Sequence, residues 1–266
     1  MPLEFYHVDA FAEAPFTGNP AAVYRLDTWL PDDLLQKIAR EHNLSETVFV
    51  AREDAAWRIR WFTPRAEVKL CGHATLAAAH VLFSVYGTSG DRLEFSSRSG
   101  SLSVTREADR LTLDFPALVP KEVVVPDVER ILGAHPLEVL VDGAGGGRAD
   151  KLLVVLDSER AVEEVVPDLQ GVAGLTYEGV IVTAPGAEVD FVSRYFAPAV
   201  GIDEDPVTGS AHCCLIPYWA RRLGKQELTA FQVSARGGRL WCRLHGDRVR
   251  ISGKAVTVLA GRDTAV

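Results

Sequence analysis

The chain has 266 residues, of which 47% are hydrophobic and 24% charged, and its formal net charge is −8. That length suits one large domain or two modest ones with a sizeable core, and the composition excludes a disordered chain. The acidic balance argues against nucleic acid or an anionic membrane as a partner, and no apolar run reaches the roughly 20 residues a bilayer span needs.

The first residues, "MPLEFYHVDAF", lack the basic and apolar regions of a secretory signal. The cysteines are Cys71, Cys213, Cys214 and Cys242, with no disulfide-framework or C-x-x-C spacing, so a reduced, cytoplasmic protein is expected. "PDDLLQKIAREH" carries apolar Leu34, Leu35 and Ile38, the pattern of a surface amphipathic helix. "LSETVFVA" predicts a strand on which Glu46, Val48 and Val50 share a face. After Gly72 a helix is predicted whose residues, Ala74, Leu76, Ala77, Ala78, Ala79, Val81, Leu82 and Phe83, are apolar on every side. Such a helix must be surrounded. "GSLSVTREADRLTLDFP" alternates at period two on both sides of Ala108-Asp109 and predicts a β-hairpin. "ALVPKEVVVP" reads as a linker between halves. "GAGGG" (Gly143–Gly147) lacks the fingerprint of a dinucleotide-binding turn and reads as a loop.

The second half repeats the first. "RWFTP" at Arg60 faces "RYFAP" at Arg194. "SSRSGSLSV" at Ser96 faces "SARGGRLWC" at Ser234, and "DRLTLDF" at Asp109 faces "DRVRISG" at Asp247. The offset is 134 at Phe62/Phe196, 137 at Gly72/Gly209 and 138 at Asp109/Asp247, and upstream "ETVFVA" faces "EGVIVT" at 132. A near-constant offset predicts two copies of one unit. The expected fold is α+β, with two pseudo-symmetric domains, each a barrel-like sheet around one central helix. The boundaries are read as 1–118, completed by a C-terminal strand at 256–266, and 119–255.

The chemistry concentrates at the two helix starts, Gly72-His73-Ala74-Thr75 and Thr208-Gly209-Ser210-Ala211. First-turn N–H groups have no intrahelical partner, the dipole favours an anion, and glycine admits a ligand close to the backbone. Two such starts at matching positions suit a carboxylate-bearing substrate, although Gly and Ser also serve simply as helix caps. Asp205, held extended by Pro206, is delivered near the second start. His73 is a candidate proton donor or shuttle. The helix dipole should lower its pKa, so a carboxylate such as Asp205 would be a natural partner. Glu46 shares a face with valines, and partial desolvation of a carboxylate suits a general base. The repeat places Glu178 opposite it, so position alone does not single Glu46 out. Cys71, beside a helix start where a thiolate would be stabilised, is a candidate nucleophile or a small buried hydrophobe. Metal ligation is not expected: Cys71 and His73 are two apart, on different sides of a helix, and "HCC" at His212 has no zinc-site spacing.

Four motifs in order, "VDAFAEAPFTGNPAAV", "LSETVFV", "RWFTPRAEVKLCGHATLAAAHVLF" and "EDPVTGSAH", give the chain a resemblance to the PhzF-like, phenazine-biosynthesis-like proteins of the diaminopimelate epimerase fold. It covers nearly the whole length. The resemblance implies cofactor-independent isomerisation in an active site between the halves, of the trans-2,3-dihydro-3-hydroxyanthranilate isomerase type. It also implies pairing as a homodimer. It places the general acid/base on Glu46, the supporting histidine on His73, the aspartate on Asp205 and the serine on Ser210. Backbone donors fall on Gly72, Ala74, Gly209 and Ala211, and a substrate-contacting asparagine on Asn19. No metal or organic cofactor is expected. The partner is a small carboxylate, with no nucleic acid and no membrane.

Two other readings stand beside this one. A two-thiol epimerase or racemase would use Cys71, but the matching position in the second copy is Thr208, a poor base. A non-catalytic binding or scaffold protein would retain the fold without the chemistry.

Overall fold

The computed structural model describes residues 2–53, 56–143 and 150–264, and the chain divides into two units. The first unit ends at Asp114 and takes the chain back from Ser252, while the second runs from Phe115 to Ile251. The exchange therefore falls a few residues earlier, at both places, than the 118/119 and 256 read from the sequence. The glycine-rich stretch expected as a loop lies, from residue 144 onward, outside the described residues. Among the described residues no helix is long and apolar enough to cross a membrane.

The first unit contains β1 (Leu3–Ala10), β2 (Asn19–Leu26), α1 (Asp32–His42), β3 (Glu46–Glu53), β4 (Ala56–Phe62), β5 (Glu67–Val68), α2 (Gly72–Ser84), β6 (Arg92–Ser97), β7 (Gly100–Glu107) and β8 (Arg110–Pro116). The second contains β9 (Lys121–Glu122), α3 (Val128–Leu132), β10 (Glu138–Val141), β11 (Lys151–Val155), α4 (Glu159–Glu163), α5 (Leu169–Gly174), β12 (Gly179–Pro185), β13 (Phe191–Phe196), α6 (His212–Leu223), β14 (Glu227–Gln232), β15 (Gly238–His245) and β16 (Arg248–Gly253). The last strand, β17 (Ala255–Asp263), belongs to the first unit.

The strand pairings repeat as the sequence does. In the first unit β17, β1 and β2 run antiparallel in turn, β2–β3 is parallel, β3–β4 antiparallel, β4–β6 parallel and β6–β7 antiparallel. The second unit gives the same series with β9, β10, β11, β12, β13, β14 and β15. The strand after each copy's hairpin is used by the other unit: β9 follows the first copy and pairs with β10, and β17 follows the second and pairs with β1.

Each unit is layered about its sheet. α2 touches β1, β2, β3, β7 and β17, and its residues from His73 to Ala79 are all buried. The alanines let strands approach the helix from several sides, which is why a helix without an amphipathic stripe is stable here. The opposite face of β2 and β3 is covered by α1, through Leu35, Ile38 and Ala39 against Tyr24, Phe49 and Ala51. Phe49 and Ala51 thus face α1, and the alternate residues Glu46, Val48 and Val50 face α2. The second unit covers β11–β13 with α3, α4 and α5 through Ile131, Val162 and Val172.

Two sequence expectations change here. The second helix begins at His212, after a tightened turn in which His212, Cys213 and Cys214 N–H groups donate to the carbonyls of Gly209, Ser210 and Ala211. Cys213 and Cys214 therefore sit in its first turn. The supposed linker is a fixed part of the second unit. Pro217 lies inside α6 and cannot donate to Cys213, a defect worth ~3 kcal/mol in a helix interior. Leu118 N–H donates to that freed carbonyl at 2.9 Å, so the segment docks where the helix needs a donor.

Leu76, fully buried on α2, should cost about 2–5 kcal/mol on truncation to alanine, measured by urea unfolding. Val124→Ala, at a site 92% exposed, should change stability by less than about 0.5 kcal/mol. Equal effects would refute α2 as the axis of the unit.

Candidate active site

In the first unit the start of β3 and the start of α2 bring Glu46, Cys71 and His73 together. Nε2 of His73 lies 3.0 Å from Oε2 of Glu46, and the Cys71 sulfur is 3.5 Å from Nδ1 and 3.9 Å from Nε2. All three side chains are buried, Glu46 with 7% of its surface exposed. Cys71 and His73 were expected on different sides of the helix. Cys71 instead stands at the N-cap in an extended conformation, φ −144° and ψ 115°, which lets its sulfur reach the ring. It makes no capping bond of its own. The Thr75 hydroxyl instead donates to the Cys71 carbonyl at 2.6 Å, tying down the first turn that carries Gly72, His73 and Ala74.

Asn19, the first residue of β2, has no exposed surface, and its amide nitrogen lies 3.1 Å from His73 Nδ1. A turned-over amide would present its oxygen to a protonated ring. The contact sets Asn19, on which the resemblance implies a substrate contact, against His73. Gly18 precedes it at φ 67°, and a Cβ there would come 2.2 Å from the Ala10 carbonyl oxygen, so this turn demands glycine.

Burial lowers the His73 pKa, but the hydrogen-bonding contact of Cys71 and the charge of Glu46 beside the ring outweigh it and hold the pKa well above 6.5. The lowering expected from the helix dipole is overridden, and the carboxylate facing the ring in its own unit is Glu46. Burial, helped by the Glu46 charge, pushes the Cys71 thiol up to about 11, so it is a neutral thiol at pH 7. The anion next to the imidazolium is therefore the carboxylate. The ring N–H is not aimed at Oε2, which among the described residues accepts no hydrogen bond. A buried carboxylate oxygen with an open lone pair can take a proton from a substrate.

The second unit does not duplicate this arrangement. Thr47 lies opposite Phe62 and Val180 opposite Phe196, so with the two phenylalanines equivalent, Glu46 corresponds to Gly179. The aligned Glu178 falls one residue earlier. A Cβ on Gly179 would meet the Phe196 carbonyl oxygen at 2.6 Å and the Tyr195 hydroxyl at 2.7 Å. Tyr195 fills the space a carboxylate would need and donates to Glu178 Oε1 at 3.0 Å, while Lys151 pairs with the same oxygen at 3.1 Å.

The second helix start is a clamped loop. Thr208, the counterpart of Cys71, donates its hydroxyl to Asp205 Oδ2 at 2.5 Å. Gln232, fully buried at the end of β14, accepts from Thr208 N–H at 2.8 Å and donates to the Asp205 carbonyl at 2.7 Å. The sequence reading missed Gln232, for which no motif signals a role. His212 Nδ1 donates to the Thr208 carbonyl at 2.8 Å, as Thr75 does to Cys71 in the first copy, and burial lowers the His212 pKa to about 4. Ser210, next to Gly209 and Ala211, is partly exposed and its hydroxyl has no partner among the described residues. The predicted residues thus form two sets, Asn19, Glu46, Gly72, His73 and Ala74 in one unit and Asp205, Gly209, Ser210 and Ala211 in the other.

The chain is 64% identical over 263 residues to an uncharacterized isomerase of Pseudomonas aeruginosa, covering 98% of each chain. It matches the crystal structure of a PhzF-family phenazine biosynthesis protein of Enterococcus faecalis at 47% identity and TM-score 0.94, covering 98% of this chain and 99% of that one. It also matches a predicted epimerase of Pseudomonas aeruginosa at TM-score 0.76, covering 98% and 99%, where 23% identity shows the fold alone. With this fold and these relatives, the protein is an isomerase. The chain belongs to the PhzC-PhzF family of phenazine biosynthesis-like proteins, whose family model matches residues 8–261.

The two buried histidines should titrate in opposite senses. The raised His73 pKa contributes stability that is complete below about 6.5 and is lost as the pH rises through its folded value. The lowered His212 pKa contributes stability that is complete above 6.5 and is lost as the pH falls toward about 4. Imidazole NMR at pH 7 should show His73 charged and His212 neutral, and a neutral His73 would contradict the assignment. Gly179→Ala should destabilise by about 1–3 kcal/mol through overpacking, read by thermal unfolding, and an unchanged Tm would show that Tyr195 yields the space.

Proposed function

We propose that the protein moves a proton on a small carboxylate-bearing substrate without a cofactor, as in isomerisation of the trans-2,3-dihydro-3-hydroxyanthranilate type. The observation that carries this reading is Oε2 of Glu46, buried, 3.0 Å from His73 and accepting no hydrogen bond among the described residues. A proton leaves one substrate carbon for this oxygen, the allylic electron pair shifts, and the proton returns at another carbon, giving an enol that becomes a ketone. The His73 ring stands beside Glu46 as its charge partner, and Asn19 keeps the ring in place. In this reading the helix starts at Gly72–Ala74 and Gly209–Ala211 supply N–H groups to the substrate anion, while Asp205 and Ser210 position or relay. The protein acts as a homodimer, which light scattering would test.

The two-thiol alternative fits poorly. Cys71 is a thiol at neutral pH, and Thr208 at the matching position is engaged with Asp205. Cys213 is raised to about 12 by burial, and burial raises Cys214 as well. A scaffold would have no use for a buried carboxylate left without a donor, which costs stability and serves chemistry.

Glu46→Gln should lower solvent deuterium exchange into cyclic or amino-acid-like carboxylates by about 10²–10⁴-fold, while Cys71→Ser keeps most of it. Exchange lost in Cys71→Ser but kept in Glu46→Gln would favour the thiol epimerase. A wild-type protein that exchanges no proton of any such substrate would favour the scaffold.

A further inference from the structure

Glu46, Cys71 and His73 bring together an oxygen, a sulfur and a nitrogen donor, one ligand atom from each, all within 4.8 Å of one another. Tetrahedral zinc, with bonds of about 2.0–2.3 Å, holds its ligand atoms roughly 3.3–3.7 Å apart. The separations from Nε2, 3.0 Å to Oε2 and 3.9 Å to sulfur, bracket that spacing. The backbones already converge from the first residue of β3 and the first turn of α2, and the Cys71 sulfur, now 3.5 Å from Nδ1, has to swing toward the Nε2 side of the ring to complete the set.

Two further observations point the same way. Oε2 of Glu46 is buried, accepts no hydrogen bond among the described residues and lies 3.0 Å from His73 Nε2, so it is a donor atom without a hydrogen-bond partner beside the second ligand. The Asn19 amide lies against the ring nitrogen opposite Nε2, where metal-binding histidines usually have an orienting partner. The local spacing of Cys71 and His73 gave no hint of this, because the third donor arrives from another strand.

We propose that Glu46, Cys71 and His73 form a binding site for a thiophilic divalent cation of the zinc class. The ion displaces the Cys71 thiol proton and the Nε2 proton of His73, both of which pass to solvent, and Glu46 binds as its carboxylate. No group is oxidised or reduced. Three protein ligands leave a fourth position for water. If Glu46 is the base of the proposed reaction, the bound cation occupies the lone pair that takes the substrate proton and inhibits the enzyme. That consequence rests on the functional reading, and the site itself does not.

The test is titration of the full, chelator-treated chain with Co²⁺ alone and then Zn²⁺ alone. Co²⁺ should produce a thiolate-to-cobalt charge-transfer band in the near ultraviolet with tetrahedral d–d bands. Zn²⁺ should release about two protons per ion at pH 7. Cys71→Ser should abolish the charge-transfer band, and Glu46→Gln should weaken Zn²⁺ binding at least tenfold. Asn19→Ala should weaken it by about 10- to 100-fold, and circular dichroism establishes that each variant is folded. Absence of the band in the wild type, or Zn²⁺ affinity within twofold of wild type in Cys71→Ser and Glu46→Gln, would overturn the site. A protein that shows the band yet exchanges no substrate proton keeps the metal site and loses the isomerase mechanism. One that exchanges protons but never shows the band keeps the mechanism and loses the site.

Discussion

A buried carboxylate held against an imidazole is the contact on which the arrangement of the first unit depends. Removing both groups from water is unfavourable, and the attraction between them has to offset that loss. Removing one partner of a buried ion pair typically costs about 3–5 kcal/mol, because the other charge is left uncompensated. Here the balance favours the charged ring although it is buried. The contact, at 3.0 Å, compensates charge without consuming the carboxylate's hydrogen-bonding capacity. Stability and reactivity therefore draw on different properties of the same group.

The rest of the unit holds this contact in place. α2 can run through the middle of its strands because Ala74, Ala77, Ala78 and Ala79 keep it slim, and its first turn is tied by Thr75 to the Cys71 carbonyl. β3 is covered on both faces, by α1 and by α2, so Glu46 begins a strand that cannot shift without disturbing two packed layers. Gly18 makes the turn that sets Asn19 behind the ring. In the second unit Pro217 and Leu118 show the same economy, a missing helical donor replaced by a neighbouring backbone.

The internal repeat has diverged where chemistry is concerned. The backbone scheme is kept strand for strand, but the place of Glu46 is taken by Gly179 with Tyr195 packed over it. The place of Cys71 is taken by Thr208, which is engaged with Asp205. This divergence leaves one buried carboxylate–imidazole pair and, in the other copy, a loop clamped by Gln232.

Much of this was legible in the residues themselves. The repeat, the all-apolar helix, the hairpin at Ala108-Asp109 and the amphipathic α1 follow from periodicity, because side-chain direction along a helix or strand is a local property. The motifs likewise marked Glu46, His73, Asp205 and Ser210 as candidates. What local spacing could not supply was partnership. It opposed His73 to Asp205, gave the ring a lowered pKa, matched Glu46 with Glu178 and set Cys71 aside from its neighbours. Tertiary structure decided each of these, because strand register and burial join residues far apart in the chain: β3 carries Glu46 to the start of α2, β14 carries Gln232 to the Asp205 loop, and pairing with β13 puts Gly179 where the carboxylate would stand.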